Sequence, residues 1–296
     1  MSLNILKIHN LAPYTSWLIG GPAEHFVLPQ DYEELTQAVA YAKENKLAIT
    51  VLGGGSNVLV SDLGVKGMVI CLQKFSGISY LLSDNRIQIE ALAGTGKNEL
   101  LKIFLKHQLT PALFLAGLPG DVGGGVVMNA GVAEAFHPRE FMELVDQIEV
   151  MTLDGELKIF KNSDLHVEYR HTTGFQPHIV TKIFMSWPYE QHPEIITQVR
   201  DANKVRLSKQ PLDKPSCGSV FKNPPGHKVA QLIDQCGLKG TRVGDAEVST
   251  KHANFIVNTG HASATHTWEL IQLVKNTVKE KTNIEIQTEV LRLGNW

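Results

Sequence analysis

Two glycine-rich passages constrain this chain more than any other feature: Gly53-Gly54-Gly55-Ser56-Asn57, and the run from Ala116 to Gly125 that holds Gly117, Gly120, Gly123 and Gly124. Glycine tolerates positive φ and lets backbones approach closely. Beside a strand, such a run makes either a tight turn or a nest of amide N–H groups that can hold an anion, and glycine geometry alone permits both. The flanks of the two passages read as strands and helices. A helix is expected over Asp31 to Lys46, with Leu35, Ala38, Val39 and Ala42 on one face and Asp31 as N-cap. A strand from Ala48 to Leu52 then runs into Gly53, and Val58–Val60 and Met68–Leu72 read as further strands. Another strand, Ile87 to Ala93, and a helix from Asn98 to His107 precede the second passage, which reads as a loop.

The common nucleotide fingerprints fail. A dinucleotide G-x-G-x-x-G counted from Gly53 meets Val58, and counted from Gly123 meets Met128. The segment Ala91 to Asn98 contains Gly96-Lys97, but alanine stands at the first glycine position of a P-loop and asparagine where Ser or Thr would bind magnesium. No H-E-x-x-H, no His/Cys cluster at metal spacing and no G-x-S-x-G elbow occurs, so no metal site is expected. Lys and Arg total 28 against 30 Asp and Glu, a balance that supports neither a nucleic-acid surface nor a polybasic membrane contact. Three cysteines, Cys71, Cys217 and Cys236, are too few for a disulfide framework, which fits a reduced cytoplasmic setting.

Further along, Gln147 to Phe160 reads as a hairpin turning at Asp154-Gly155, and Ile179 to Trp187 as a strand. Helices are expected over 193–210, 228–236 and 263–281, and strands over 252–258 and 285–293. The fold class is therefore mixed α/β (α+β), with a boundary expected near Ser208 to Pro215 where proline and charge cluster.

In order along the chain stand Thr15 to Ala23 with Ile19-Gly20-Gly21-Pro22-Ala23, then the first glycine passage with Val58-Leu59-Val60-Ser61-Asp62, then Ala116-Gly117-Leu118-Pro119-Gly120, Gly123-Gly124 and Met128-Asn129-Ala130-Gly131. Tyr169-Arg170, Lys209-Gln210-Pro211, the run Gly218 to Pro224, Ala230 to Gly240, Val248-Ser249, Lys251-His252-Ala253, Phe255 to Asn258 and Thr288-Glu289-Val290 follow. This ordered set, covering nearly the whole chain, resembles the UDP-N-acetylenolpyruvoylglucosamine reductase family, itself similar to the FAD proteins of the vanillyl-alcohol-oxidase type. The resemblance implies a two-lobed FAD module, over 1–72 and 73–200, with a smaller α/β substrate domain over 201–284 and a terminal strand, 285–296, returning to the first lobe.

It also implies a cytoplasmic enzyme of peptidoglycan synthesis. NADPH reduces FAD and leaves, the enolpyruvyl sugar nucleotide takes its place, hydride passes from the flavin to C3 of the enol ether, and a proton reaches C2 to give UDP-N-acetylmuramate. The partners are then the sugar nucleotide and NADPH, with no nucleic acid, membrane or obligate protein partner. By motif match, Ser219 is the proton donor, Arg170 stabilises the enolate and Glu289 is the catalytic glutamate. Gly53, Gly54, Gly55, Ser56, Asn57, Pro119, Gly120, Asn129 and Gly131 are expected to meet FAD, mostly through backbone amides, and Lys222 and Asn223 the nucleotide diphosphate or sugar. If 285–293 is a strand, Glu289 shares a face with Gln287, Leu291 and Leu293, which would hinder its ionisation.

Some positions depart from the family pattern. Asp121 replaces a small or hydroxyl residue, Arg170 is followed by His171-Thr172-Thr173-Gly174-Phe175 where many relatives have a serine and a shorter spacing, the run Val132 to Phe136 lacks a glycine-rich sequel, Cys217 stands where alanine is frequent, and Leu291 occupies a common arginine position, with Arg292 next. The short passage Gly174 to Pro188 resembles the branch without an extra tyrosine-bearing loop. Two rival readings are a related FAD oxidoreductase with another substrate and a non-catalytic nucleotide-binding protein.

Overall fold

A computed structural model describes residues 3–132 and 137–296 of the chain. It divides into two compact units. One holds the segments up to Leu6, Phe26–Gly54 and Gly67–Val205; the other holds Lys7–His25, Gly55–Lys66 and Arg206–Trp296.

The first unit is organised by a five-stranded antiparallel sheet in the order Ile78–Ser83, Arg86–Leu92, Ile179–Pro188, Val145–Met151, Leu157–Lys161. The central strand pairs Ile183 with both Ala91 and Ile148. In Arg86–Leu92, Ile87, Ile89 and Ala91 are buried while the residues between them are exposed, the period of two that a sheet covered on one face requires. The hairpin expected at Asp154-Gly155 is present, with Gly155 at φ +84° and Met151 opposite Leu157. A parallel pair, Ile49 to Leu52 beside Met68 to Cys71, carries the helix Tyr32–Glu44. Asp31 caps that helix by accepting from Glu34 N at 2.9 Å, and the helix buries Leu35, Ala38, Val39 and Ala42, the face read from the sequence. One continuous core joins these to Phe75, Phe104, Phe114 and Phe141.

The second unit is smaller in sheet. Arg242–Val243, Ala246–Val248 and Ile256–Asn258 form an antiparallel meander, packed with the helices Val229–Gln235 and Ala264–Thr282 over a core that includes Trp17, Val220, Phe221 and Ile271. Trp17 Nε1 donates to Ile256 O at 2.8 Å, tying an N-terminal residue to that sheet. Gly237, at φ +73°, stops the first helix as expected, and Asn283, also left-handed, stops the second. Leu291–Leu293 runs parallel to Val58–Val60 in this unit.

Three expected elements differ. The second glycine passage is not all loop: Val122–Val127 is helical, because Asp121 caps it and Gly123 and Gly125 leave room for Ala93 and the Phe141 ring. The strand expected over 252–258 is confined to Ile256–Asn258, since Ser249 Oγ accepts from Lys251 N and His252 N and folds the preceding residues into a turn. The terminal strand is confined to Leu291–Leu293, because Gln287 and Glu289 bond to another segment before the chain reaches Val58.

Candidate functional site

In the first unit the two glycine passages are joined by one carboxylate. Asp121 is 6% exposed. Its Oδ2 accepts from Gly54 N, and its Oδ1 accepts from Gly124 N at 2.6 Å. A side chain on Gly53 would place its Cβ 2.6 Å from that carboxylate, and one on Gly54 would lie 3.1 Å from Gly120 Cα, so both glycines answer a steric demand. Gly120 stands at φ +85° and accepts at its carbonyl from Lys97 N, beside the exposed Pro119. Burial pushes the Asp121 carboxyl above its ordinary range, and the two amide donors only partly offset this.

The same unit gathers Asn129, Gly131 and Arg170 around Glu140. Asn129 is fully buried at φ +38°; its Nδ2 donates to Glu140 Oε2 at 2.7 Å and to Glu168 O at 3.0 Å, and its Oδ1 accepts from Met142 N at 3.2 Å. Its side chain is thus committed inside the protein. Arg170, 9% exposed, adopts a left-handed backbone at φ +58°. Its Nη2 donates to Gly131 O at 2.9 Å, Nη1 lies 3.7 Å from Glu140 Oε1, and its guanidinium stacks 4.6 Å from the Tyr169 ring centroid. Positive φ at a long side chain is uncommon and marks a position where surroundings impose the direction. Two residues on, Thr172 is fully buried and its hydroxyl has no hydrogen-bond partner among the described residues. Unpaired buried hydroxyls are rare, so this one could meet a polar edge of a bound group.

In the second unit a backbone ladder assembles the other expected residues. Val220 N donates to Asn254 O and Phe221 N to Asn254 Oδ1, both at 2.9 Å, while Asn254 Nδ2 returns to Phe221 O at 2.9 Å. On the opposite side Lys222 N donates to Gln287 O at 2.9 Å and Glu289 N to Val220 O at 2.8 Å. Ser219 and Glu289, seventy residues apart in sequence, therefore sit on neighbouring rungs. Ser219, Lys222 and Glu289 are half-buried, and Gly218, at φ +81°, has open space where a Cβ would point. Leu291 is 44% exposed, so it does not give Glu289 the apolar shelter that an unbroken strand implied. Glu289 acts electrostatically on Cys217: burial raises that thiol well above its ordinary value, and the Glu289 charge raises it further.

Asn223 Oδ1 accepts from Val229 N at 3.0 Å, closing the start of a helix. Gly55, buried at φ +65°, lies where any Cβ would strike Tyr14 O; Ser56 is half-buried; Asn57 Nδ2 donates to Glu289 O at 3.1 Å. Arg170 belongs to one unit, Ser219 and Glu289 to the other. Of the departures from the family pattern, Ala133 to Phe136 lie outside the described residues. Glu140, Thr172 and Asn254 escaped sequence reading as site components. Only Thr172 carried a signal, its closeness to Tyr169-Arg170; the roles of the other two arise from partners set by the fold.

Residues 23–161 match an FAD binding domain, and residues 210–293 match the C-terminal domain of UDP-N-acetylenolpyruvoylglucosamine reductase. The chain is 39% identical over 285 residues to the UDP-N-acetylenolpyruvoylglucosamine reductase of Listeria monocytogenes, covering 96% of this chain and 93% of that one. It is 40% identical, with the same coverage, to that of Lactobacillus delbrueckii subsp. bulgaricus. The crystal structure of the Thermus caldophilus enzyme superposes with a TM-score of 0.79 at 32% identity, covering 99% of each chain. Since both the flavin half and the C-terminal half match, end to end, the chain belongs to the UDP-N-acetylenolpyruvoylglucosamine reductase family.

Proposed function

We infer that this chain reduces the enolpyruvyl ether of UDP-N-acetylglucosamine to UDP-N-acetylmuramate, with bound FAD and with NADPH as co-substrate, in peptidoglycan precursor synthesis in the cytoplasm. FAD supplies the hydride chemistry when bound; the chain supplies orientation, charge stabilisation and a proton. Gly53 to Ser56, Pro119, Gly120 and Gly131 would hold the cofactor through backbone; a Cβ on Gly53, Gly54, Gly55 or Gly131 would strike the protein's own atoms, so these glycines let the surrounding segments pack closely. Asn129 supports this segment from inside rather than through its side chain. Arg170, permanently charged and buried, stabilises the negative charge that develops on the substrate carboxyl group as hydride adds to C3. Ser219 delivers the proton to C2, with Glu289 as the ionisable group on the adjacent rung. Lys222 offers a point charge to the diphosphate, and Asn223, whose oxygen is engaged with Val229, has its amide N–H groups to offer.

The observation that carries this reading is the ladder that brings Ser219 and Glu289, distant in sequence, onto paired segments in a family whose reaction needs a proton delivered beside a carboxyl. The branch without the tyrosine loop is favoured by the five residues that separate the strand His171–Thr173 from Ile179–Pro188, which leave no room for an insertion there. The test is turnover. Purified protein with FAD should consume NADPH only when the enolpyruvyl sugar nucleotide is present and yield a product richer by one hydride and one proton. Flavin reduced by NADPH but inert towards that sugar nucleotide would instead support an oxidoreductase with another substrate.

A further inference from the structure

Asn57 closes the first glycine passage, and its side chain reaches the backbone of Glu289. Its Nδ2 donates to Glu289 O at 3.1 Å, and its own carbonyl accepts from Leu291 N at 3.0 Å. Glu289 N, in turn, donates to Val220 O at 2.8 Å. The two backbone polar groups of Glu289 are thus both engaged, one by the residue next to Ser219 and the other by the end of the glycine loop. These groups belong to the two peptide planes that flank the Glu289 Cα. Because peptide units are rigid, holding both planes sets φ and ψ of Glu289 and so the direction in which its side chain leaves the backbone.

The parallel pairing that follows, Leu291 opposite Val58 through Leu293 opposite Val60, anchors the chain only from two residues after Glu289 onward. Before it, the antiparallel bridge of Phe221 and Thr288 anchors the other side. Glu289 lies at the crossing from one partner to the other, where no regular strand holds it. The Asn57 carboxamide bridges that gap.

We propose that Asn57 is a positioning residue that acts through Glu289, so that the glycine loop sets where the glutamate carboxyl stands during reduction of the sugar nucleotide. The proposal rests on the role given above to Glu289 in that half-reaction. It separates two functions that one sequence passage combines: Gly53 to Ser56 are assigned above to the cofactor, whereas the side chain of Asn57 serves the substrate step.

The experiment is a pair of stopped-flow half-reactions at saturating FAD, with the FAD dissociation constant of each variant measured by flavin fluorescence. Asn57→Ala removes the donor. It should slow reoxidation of the reduced flavin by the sugar nucleotide on the order of ten- to a hundredfold more than it slows reduction by NADPH, the scale expected for a displaced catalytic group. Asn57→Asp, which keeps the shape and loses the donor, should show the same imbalance after correction for FAD occupancy. In a Glu289→Gln background the Asn57→Ala change should add less than about twofold, because residues acting through one another are not additive. Equal slowing of both half-reactions, or full additivity with Glu289→Gln, would overturn the positioning role. If Glu289→Gln itself leaves reoxidation unchanged, the role of Glu289 falls, and that of Asn57 with it. If Glu289→Gln is slow and both Asn57 variants are not, only the role of Asn57 falls.

Discussion

The two units hold their site residues by different means. In the first, polar side chains do the holding: the buried Asp121 bridges the two glycine passages, and the half-buried Glu140 gathers Asn129 and Arg170. In the second, backbone rungs hold Ser219 and Glu289, and the side chains that help, Asn254 and Asn57, bond to backbone. The first arrangement suits a cofactor that needs bare, rigid backbone; its polar anchors are costly to bury and costly to remove. The second does its holding through backbone rungs and through asparagine side chains that bond to backbone. Function and stability should therefore separate in the second unit and stay entangled in the first.

The sharpest way to break this comparison is Ser219→Ala. It should slow reduction of the sugar nucleotide on the order of 10² to 10⁴-fold, measured as reoxidation of reduced flavin in stopped flow. It should leave the urea midpoint unchanged, because the ladder around it is backbone. A parallel fall in stability would mean that Ser219 is structural. The opposite pattern is expected for Asn129→Ala, which would orphan Met142 N and Glu168 O and cost about 3 kcal/mol in urea unfolding.

What could be read in advance follows a physical line. The helix at Tyr32–Glu44 with its Asp31 cap, the Asp154-Gly155 turn and the Gly237 stop are local signals, each complete within a few residues. The glycine passages were legible as backbone demands, whereas Arg170, Ser219 and Glu289 were singled out only through resemblance. The anchors were not. Asn57 meets Glu289 across 232 positions, and Asp62 meets Thr265 across 203. No spacing rule announces such partners, because the fold alone brings them together. The helix at Val122–Val127 was missed for another reason: three of its six residues are glycine, which local propensity disfavours in a helix, and tertiary fit decides instead.

Two aspartates sharpen the comparison through pH. Asp121 and Asp62 both satisfy amides at a helix start, Asp121 as the N-cap and Asp62 from a separate segment, by accepting from Ala264 N and Thr265 N at 2.8 Å and from Thr265 Oγ1 at 2.7 Å. Each cap should cost about 1 to 2 kcal/mol to remove. Burial raises the Asp121 carboxyl above its ordinary 3.8, so the folded state keeps the proton longer than the unfolded one. The stability tied to that carboxyl is full below 3.8 and is lost as pH rises through the folded value. For Asp62, burial opposes ionisation, but bonds from the Thr265 hydroxyl and the two amides outweigh it and hold the carboxyl below 3.8. Its contribution is present above 3.8 and is lost as pH falls through the folded value. Urea titrations across pH should therefore show Asp121→Ser gaining on the unaltered protein as pH rises above 3.8. Asp62→Ser should lose on it as pH rises towards 3.8 from below. Slopes of the same sign would contradict the contrast.

The smallest effect belongs to Gly218. With φ +81° and open space around it, Gly218→Ala meets only backbone strain, about 1 kcal/mol in urea unfolding. A much larger loss would mean that the turn before Ser219 is more closely packed than the ladder account allows.

The account stands most directly on two half-reactions in one cuvette. The visible spectrum of the purified protein, loaded with FAD under anaerobic conditions, is followed as limiting NADPH and then the enolpyruvyl sugar nucleotide are added. The account predicts that NADPH bleaches the oxidised flavin band and that the sugar nucleotide restores it. Bleaching without restoration would contradict the assigned substrate, and a protein that takes up no FAD would contradict the site itself.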